Sequence, residues 1–315
     1  MTRDQIEAAA ARIAPFVRHT PVLRLAAGEL ANISLTLKLE LLQHAGSFKP
    51  RGAFNRMLRA RDAGTLPASG VIAASGGNHG AAVAHAAQAL GVSAEIFVPE
   101  ATPAAKQARI EAAGARLVRG GAAYADALAA SRTRQAQTGA LEIHAYDHAD
   151  VLAGQGTVAR EFEADAPDLT HVLVATGGGG LIGGMAAWFA GRIKVVSVEP
   201  EGCATLFSAL AAGQPVDVPV SGVAADALGA RRVGSLMFPL AQAHIDSAVL
   251  VRDSAIIDAQ RRIWQALRLV AEPGGATALA ALLSGAWVPP DGARVGVLLC
   301  GANTDPALVT SAPAA

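Results

Sequence analysis

The chain has 315 residues, 52% hydrophobic and 17% charged, with 26 basic and 26 acidic side chains giving a formal net charge of zero. That length suffices for about two domains and a sizeable core, and the charge balance points away from nucleic acid and acidic membrane surfaces. Two cysteines, Cys203 and Cys300, are too few for a disulfide scaffold and suit a reducing compartment.

The N-terminus carries Arg3, Asp4, Glu7 and Arg12 and lacks the apolar core of a signal peptide. No apolar run reaches the roughly eighteen residues of a membrane span, so a cytoplasmic protein is expected. Residues 2–13 read as a short amphipathic helix, with Ile6, Ala9, Ala10 and Ile13 at helical spacing. His19-Thr20-Pro21-Val22 is a turn into extended chain, and 35–41 alternates as a strand, with Lys38 and Glu40 on one face. Gly46-Ser47-Phe48-Lys49-Pro50-Arg51-Gly52-Ala53 then leads into a helix over 53–63. Proline suits the first helical position. Lys49 therefore projects at a helix N-terminus, where the partial positive charge lowers the pKa of an amine and favours carbonyl chemistry.

Strands at 71–74, 94–98, 116–118 and 141–144 alternate with helices at 81–90, 103–113 and 124–138. The rhythm continues with a helix at 154–164, a strand at 171–175, a helix at 181–190 and a strand at 194–198. Residues 202–246 are irregular; helices at 256–270 and 276–283 follow, then the apolar strand 295–299 and a tail after Pro306 expected to fray. Such alternation indicates parallel βαβ units.

In open parallel sheets, ligands bind beyond the carboxyl ends of strands. Three loops leave strands in that way: Ser75–Gly80, Gly177–Gly180 and Cys300–Asn303. Four consecutive glycines let several backbone N–H groups face one anion at the start of a helix. The loop lacks the Lys-Ser/Thr pair of an ATP-binding P-loop. Gly178, Gly180 and Gly183 also fit G-x-G-x-x-G, with Glu199 about twenty residues on where a ribose-binding acid belongs, so these residues alone favour an NAD-dependent oxidoreductase. Ser75–Gly80 is a second anion nest, suited to a carboxylate. Cys300 alone reads as a small buried hydrophobe.

Together these segments resemble the pyridoxal-phosphate (PLP) enzymes of the tryptophan synthase β-like fold (fold type II), within them the serine/threonine dehydratase and serine racemase branch. The resemblance rests on Ser47–Ala53, Ser75-Gly76-Gly77-Asn78-His79-Gly80, Ala153–Thr157, the tetraglycine loop, Glu272-Pro273 and Cys300-Gly301-Ala302-Asn303, in that order along the chain. It implies an α/β fold of two open, twisted, mostly parallel sheets flanked by helices. Residues 1–69 plus 147–315 would form the large cofactor-binding domain and 70–146 a small mobile one.

The resemblance also assigns roles. Lys49 would form the Schiff base with PLP and shuttle the α-proton, and Phe48 would lie against the ring. Asn78 would bond the phenolic oxygen, Gly177, Gly178, Gly179 and Gly180 would hold the phosphate, and Cys300 would sit beside the pyridine nitrogen. Ser75, Gly76, Asn78 and His79 would line the substrate carboxylate site. Racemases of this branch place a second serine where this chain has Gly76; glycine carries no proton, so elimination through Lys49 alone is favoured over a two-base racemisation. His144-Ala145-Tyr146-Asp147 resembles the dehydratases' His-Pro-Phe-Asp.

The family's divalent-cation site, for Mg²⁺ or Ca²⁺, would begin at Glu199 with Cys203 giving a carbonyl. Thr205 stands where the second acid belongs, which weakens that site. No regulatory domain is expected after residue 306. The expected activity is a PLP-dependent L-threonine/L-serine dehydratase acting on a small hydroxy amino acid, as a homodimer without nucleic-acid or membrane partners. The alternatives are a 3-hydroxyaspartate dehydratase, for which Arg51, Arg231 and Arg232 are the candidate carboxylate contacts, a serine racemase, a silent PLP-binding protein, and the NAD-binding oxidoreductase.

Overall fold

The computed structural model describes residues 1–310. A mostly parallel six-stranded sheet runs in the order β1-β2-β10-β7-β8-β9. Its strands are β1 (Val22–Leu25), β2 (Leu35–Lys38), β7 (His171–Ala175), β8 (Lys194–Pro200), β9 (Ile245–Val251) and β10 (Val295–Leu298). Only the β1–β2 pair is antiparallel. A second, parallel sheet of order β5-β4-β3-β6 comes from β3 (Val71–Ala74), β4 (Ala94–Val98), β5 (Arg116–Arg119) and β6 (Leu141–Glu142).

Helices cover both sheets: α1 (Arg3–Ile13), α2 (Pro50–Asp62), α3 (Asn78–Leu90), α4 (Ala104–Ala112), α5 (Tyr124–Thr138), α6 (Ala149–Asp165) and α7 (Gly180–Phe189) in the first part. Then come α8 (Thr205–Ala212), α9 (Ala225–Leu228), α10 (Phe238–His244), α11 (Asp253–Leu267), α12 (Pro273–Leu283) and α13 (Ala307–Thr310). None of the described helices is long and apolar enough to cross a membrane. Strands such as Val172-Leu173-Val174 and Val195-Val196 are fully buried. Near-continuous apolar runs of this kind are what a sheet covered on both faces requires.

Four expectations need correction. Strand β9 starts at the end of the stretch read as irregular and runs on through residues assigned no element; it is an edge strand beside β8, with a register shift at Val195/Val196 and only Val251 fully buried. Its weak apolar signal follows from that half-exposed position. The helix expected from 154 begins at Ala149, capped by His148, and contains Gly154 and Gly156 in its interior. These glycines read as breaks, yet they permit contact: a β-carbon on Gly154 would meet the Arg51 carbonyl and one on Gly156 the Gly184 carbonyl. The tail after Pro306 forms α13 with Val309 buried, while residues 311–315 lie outside the described residues.

The fourth correction concerns Lys38 and Glu40, expected on the polar face of one strand. Strand β2 stops at Lys38, Glu40 lies in a 3₁₀ turn, and both side chains are fully buried. Lys38 Nζ donates to Thr20 O at 2.7 Å and to Asp165 at 2.9 Å, and lies 3.1 Å from Glu161. Arg51 grips Glu40 through Nε at 2.8 Å and Nη2 at 2.7 Å, and reaches Glu161 through Nη1 at 2.6 Å. Buried charges persist only when paired and hydrogen-bonded. This network ties the start of α2 to β2 and α6, two residues from Lys49.

Candidate active site

The carboxyl ends of the large-sheet strands converge on a cleft. Phe48, Lys49, Asn78, Tyr146, the Gly177–Gly180 loop, Glu272 and Cys300 line it. Two backbone pairings build its floor. Phe48 N donates to Cys300 O at 3.2 Å and Ala302 N to Gly46 O at 2.9 Å, so the lysine loop lies against the chain leaving β10. Gly46 has φ +72, and a β-carbon there would fall 2.4 Å from Asn303 Oδ1. Only glycine combines that backbone with so close an approach.

Lys49 precedes Pro50 at the start of α2, and its Nζ donates to Ala145 O at 2.9 Å. The amine is lowered from its ordinary value to about 8. Burial is the largest cause, with Cys300 and Glu272 pulling the other way. Desolvation thus dominates, whereas sequence reasoning had invoked the helix dipole. The amine exchanges its proton near neutrality, as a lysine that attacks a carbonyl must.

The glycine loop enters α7 with Gly179 at φ +87. A β-carbon on Gly178 would fall 2.4 Å from the Tyr146 ring, and one on Gly179 equally close to Met237. The loop therefore accepts no side chains, and its N–H groups at the head of α7 lack intrahelical partners. Such a cradle fits a phosphate. Cys300 is buried, its Sγ lies 3.5 Å from Gly274 O, and burial pushes the thiol up, so it stays neutral. Asn78 heads α3 and bonds Glu272 at 2.5 Å and Asn303 at 2.6 Å.

Other expected residues stand differently. Ser75 Oγ accepts from Gly77 N at 3.3 Å, within its own turn. His79 is buried and its ring bonds Ile143 O at 2.7 Å. Burial and the nearby Lys49 lower its pKa to about 3, so the imidazole is neutral and donates through Nε2. Its ring therefore faces the protein interior, where a carboxylate contact was expected of it. Gly76 faces the turn at Thr102, whose Cγ2 would lie 2.8 Å from an added β-carbon.

Glu199 is fully buried, and its oxygens accept the N–H groups of Leu206 and Phe207, each at 2.7 Å, at the head of α8. It is occupied as a helix cap, which removes the ribose-binding acid and with it the dinucleotide reading. Nor do these residues fit a cation. Both Glu199 oxygens accept helix N–H groups, and the Thr205 hydroxyl, which donates to Ala230 O at 2.9 Å, lies 3.3 Å from the Cys203 carbonyl expected to serve the cation. Among the described residues no group of three or more His, Cys, Asp or Glu side chains comes together to hold a metal ion.

Sequence reasoning had not placed Ala145, Tyr146, Thr102 and Glu272 in or beside the site. The Glu272-Pro273 pair was a signal for the last, since proline at a helix start sets the preceding residue at the cap.

A buried lysine of lowered pKa, a side-chain-free anion cradle and a neutral thiol together fit one ligand bearing a carbonyl, a phosphate and a ring. The comparisons with known proteins agree. Residues 13–301 match the family described as pyridoxal-phosphate dependent enzyme. The chain is 33% identical over 310 residues to a serine racemase of Oryza sativa subsp. indica, covering 95% of this chain and 90% of that one. It is 34% identical over 280 residues to an L-threonine ammonia-lyase of Thermotoga maritima, covering 88% and 69% respectively. The structure of maize serine racemase superposes with a TM-score of 0.91 at 34% identity, over 96% of this chain and 94% of that one. The chain is thus a member of the pyridoxal-phosphate-dependent enzyme family, of fold type II.

Proposed function

We propose that this enzyme is a dehydratase of small β-hydroxy amino acids, L-threonine and L-serine. In that reaction the Cα–H and Cβ–O bonds break and water leaves. The released enamine tautomerises and hydrolyses to a 2-oxo acid and ammonia. PLP supplies the electron sink for the carbanion that loss of the α-proton creates.

The protein's part follows from the residues around the cleft. Lys49 holds its proton loosely near neutrality and takes the α-proton from one face. The Gly177–Gly180 loop holds the phosphate and Asn78 bonds the phenolic oxygen. Cys300, a neutral thiol, leaves the pyridine nitrogen without a strong acid, which suits an elimination needing only a moderate electron sink. Among the described residues that line the cleft, no side chain other than Lys49 is cationic. Arg51 is consumed by Glu40 and Glu161, and Arg231 and Arg232 are exposed, Arg232 pairing with Asp217 at 2.8 Å. None of these three arginines is thereby offered to a substrate side-chain carboxylate, which disfavours 3-hydroxyaspartate; Arg109 of α4, close enough to act on Glu272, is a further candidate contact.

The observation that carries the reading is Gly76: no side chain stands where racemases of this branch place their second base. The test is a 2-oxo acid assay over L-threonine, L-serine, D-serine and the 3-hydroxyaspartates. Oxo acid from the first two alone is expected; oxo acid mainly from a 3-hydroxyaspartate overturns the substrate assignment.

A serine racemase is the second reading, supported by the similarity to plant serine racemases. It also has a hydroxyl to use: Thr102 Oγ1 would lie 3.1 Å from a β-carbon on residue 76. Racemisation abolished by Thr102→Val would establish it.

A further inference from the structure

We infer that Glu272 is a positioning residue that locks the Asn78 amide so that it presents an N–H, and never its carbonyl, to the phenolic oxygen of the cofactor. The inference rests on the assignment of Asn78 to that oxygen, and is independent of which amino acid is turned over.

The argument starts at Ala45, whose backbone has the unusual φ of +56. Its carbonyl accepts from Asn303 Nδ2 at 2.8 Å. A backbone carbonyl can only accept, so the end of Asn303 facing it must be the amino group. The same Nδ2 stands 2.6 Å from the end of Asn78. Both hydrogens of Asn303 Nδ2 are then spent, and that end of Asn78 must be its oxygen. The Asn78 amino group therefore faces Glu272 Oε1 at 2.5 Å. Each amide orientation, ordinarily a choice between two indistinguishable atoms, is held from both ends of the chain, by the Ala45 carbonyl at its head and the Glu272 carboxylate at its foot.

One Asn78 N–H serves Glu272, and the second remains for the cleft that Asn78 lines with Lys49 and Cys300. An N–H there stabilises the phenolic oxygen as an anion, whereas a flipped amide would place oxygen against oxygen.

Glu272 is suited to this duty. It is buried at the head of α12, its own N–H donates to Gly301 O at 3.1 Å, and the Asn303 backbone N–H also serves its carboxyl. Lys49 and Cys300 face it from the cleft, Asp226 from α9 and Arg109 from α4. Burial raises the acid to about 7, with the Asn78 hydrogen bond opposing that rise. Its charge thus changes near neutrality, and the anion grips the Asn78 N–H harder than the acid does.

The test uses the purified, cofactor-loaded enzyme, reading cofactor affinity and the absorbance of the Lys49-bound cofactor as a function of pH. Glu272→Ala and Asn78→Ala should each weaken cofactor binding by about tenfold or more, as loss of a hydrogen bond to a charged group does. The double variant should be no weaker than Asn78→Ala alone, within about threefold, because both remove one interaction. Glu272→Gln keeps an oxygen acceptor; it should bind the cofactor within about threefold of wild type yet lose the absorbance change centred near 7.

Additive losses in the double variant overturn the inference. So does a pH-dependent absorbance that Glu272→Gln leaves in place. Should Glu272→Ala not fold, the isosteric Glu272→Gln decides by its spectrum. A wild-type protein that takes up no PLP fails the cofactor assignment; a loaded wild type with independent Glu272 and Asn78 fails this inference alone.

Discussion

A β-carbon on residue 76 would fall 2.8 Å from Cγ2 and 3.1 Å from Oγ1 of Thr102. A side chain at Gly76 fits only if the Thr102 side chain gives way. Gly76→Ser alone is therefore expected to lose about 1–3 kcal/mol of stability by overpacking and to gain little racemisation. Gly76→Ser with Thr102→Ala removes both contacts and gives the serine room. Chiral analysis of serine should show the double variant racemising at least about tenfold faster, the low end of what a positioned acid–base group contributes. Equal racemisation by the single and double variants would refute the packing argument.

In the proposed role Lys49 must be neutral to attack the cofactor carbonyl, and burial lowers its amine to about 8. The rate of cofactor loading onto apoprotein should climb about tenfold per pH unit below that value and level off above it. Stopped-flow absorbance measures this directly. A plateau reached only near 10, as for a solvent-exposed lysine, would show that burial does not tune the amine. Lys49→Ala should give a colourless protein with oxo acid production down by at least about a hundredfold.

Arg51 is fully buried between Glu40 and Glu161. Arg51→Met leaves the buried Glu40 without a cation and Glu161 with Lys38 alone. Breaking a buried pair on one side costs about 3–5 kcal/mol, which should lower Tm by more than about 6 °C. Calorimetry at neutral pH checks it, and a change under about 1 kcal/mol would mean the network is dispensable.

Burial holds the Glu199 carboxyl at about 7, above the ordinary 4.5, despite the N–H groups of Leu206 and Phe207 that favour its anion. A carboxyl raised on folding binds more protons folded than unfolded. Its contribution is therefore full below about 4.5 and lost as pH rises through about 7. The slope reaches about 1.4 kcal/mol per pH unit at its steepest. Glu199→Gln should flatten this fall in urea-unfolding curves of the apoprotein. The flattening is partial, because Glu272 is raised to the same range. Mg²⁺ or Ca²⁺ should leave the unfolding midpoint of the wild type unchanged, since the Glu199 oxygens are already occupied; a metal-dependent rise would contradict that assignment.

Much of the site was legible because its parts are local. The lysine loop, the two nests and Cys300 each occupy a few consecutive residues after a strand, and alternating strands and helices place such loops at one edge of a sheet. What could not be read was convergence over distance. Asn78 and Glu272 are 194 residues apart, and nothing in either segment announces the other. Lys38 and Glu40 alternate like a solvent face, yet α6 covers that side with Glu161 and Asp165 and turns it into a buried ion network. His79 looked like a ligand for an anion because the nest is real, while its ring found a carbonyl partner in Ile143. Glu199 misled in the opposite direction. Its spacing from the glycine run suits a ribose, and only the backbone of α8 shows what the carboxylate holds.

The most direct test of the account is to incubate the PLP-loaded enzyme with L-threonine and with L-serine and to follow 2-oxo acid, ammonia and the D-amino acids together. The account predicts oxo acid and ammonia in equal amounts from both substrates, with no D-enantiomer accumulating. Interconversion of L- and D-serine faster than oxo acid release would contradict it, and would place a second proton-transfer group opposite Lys49.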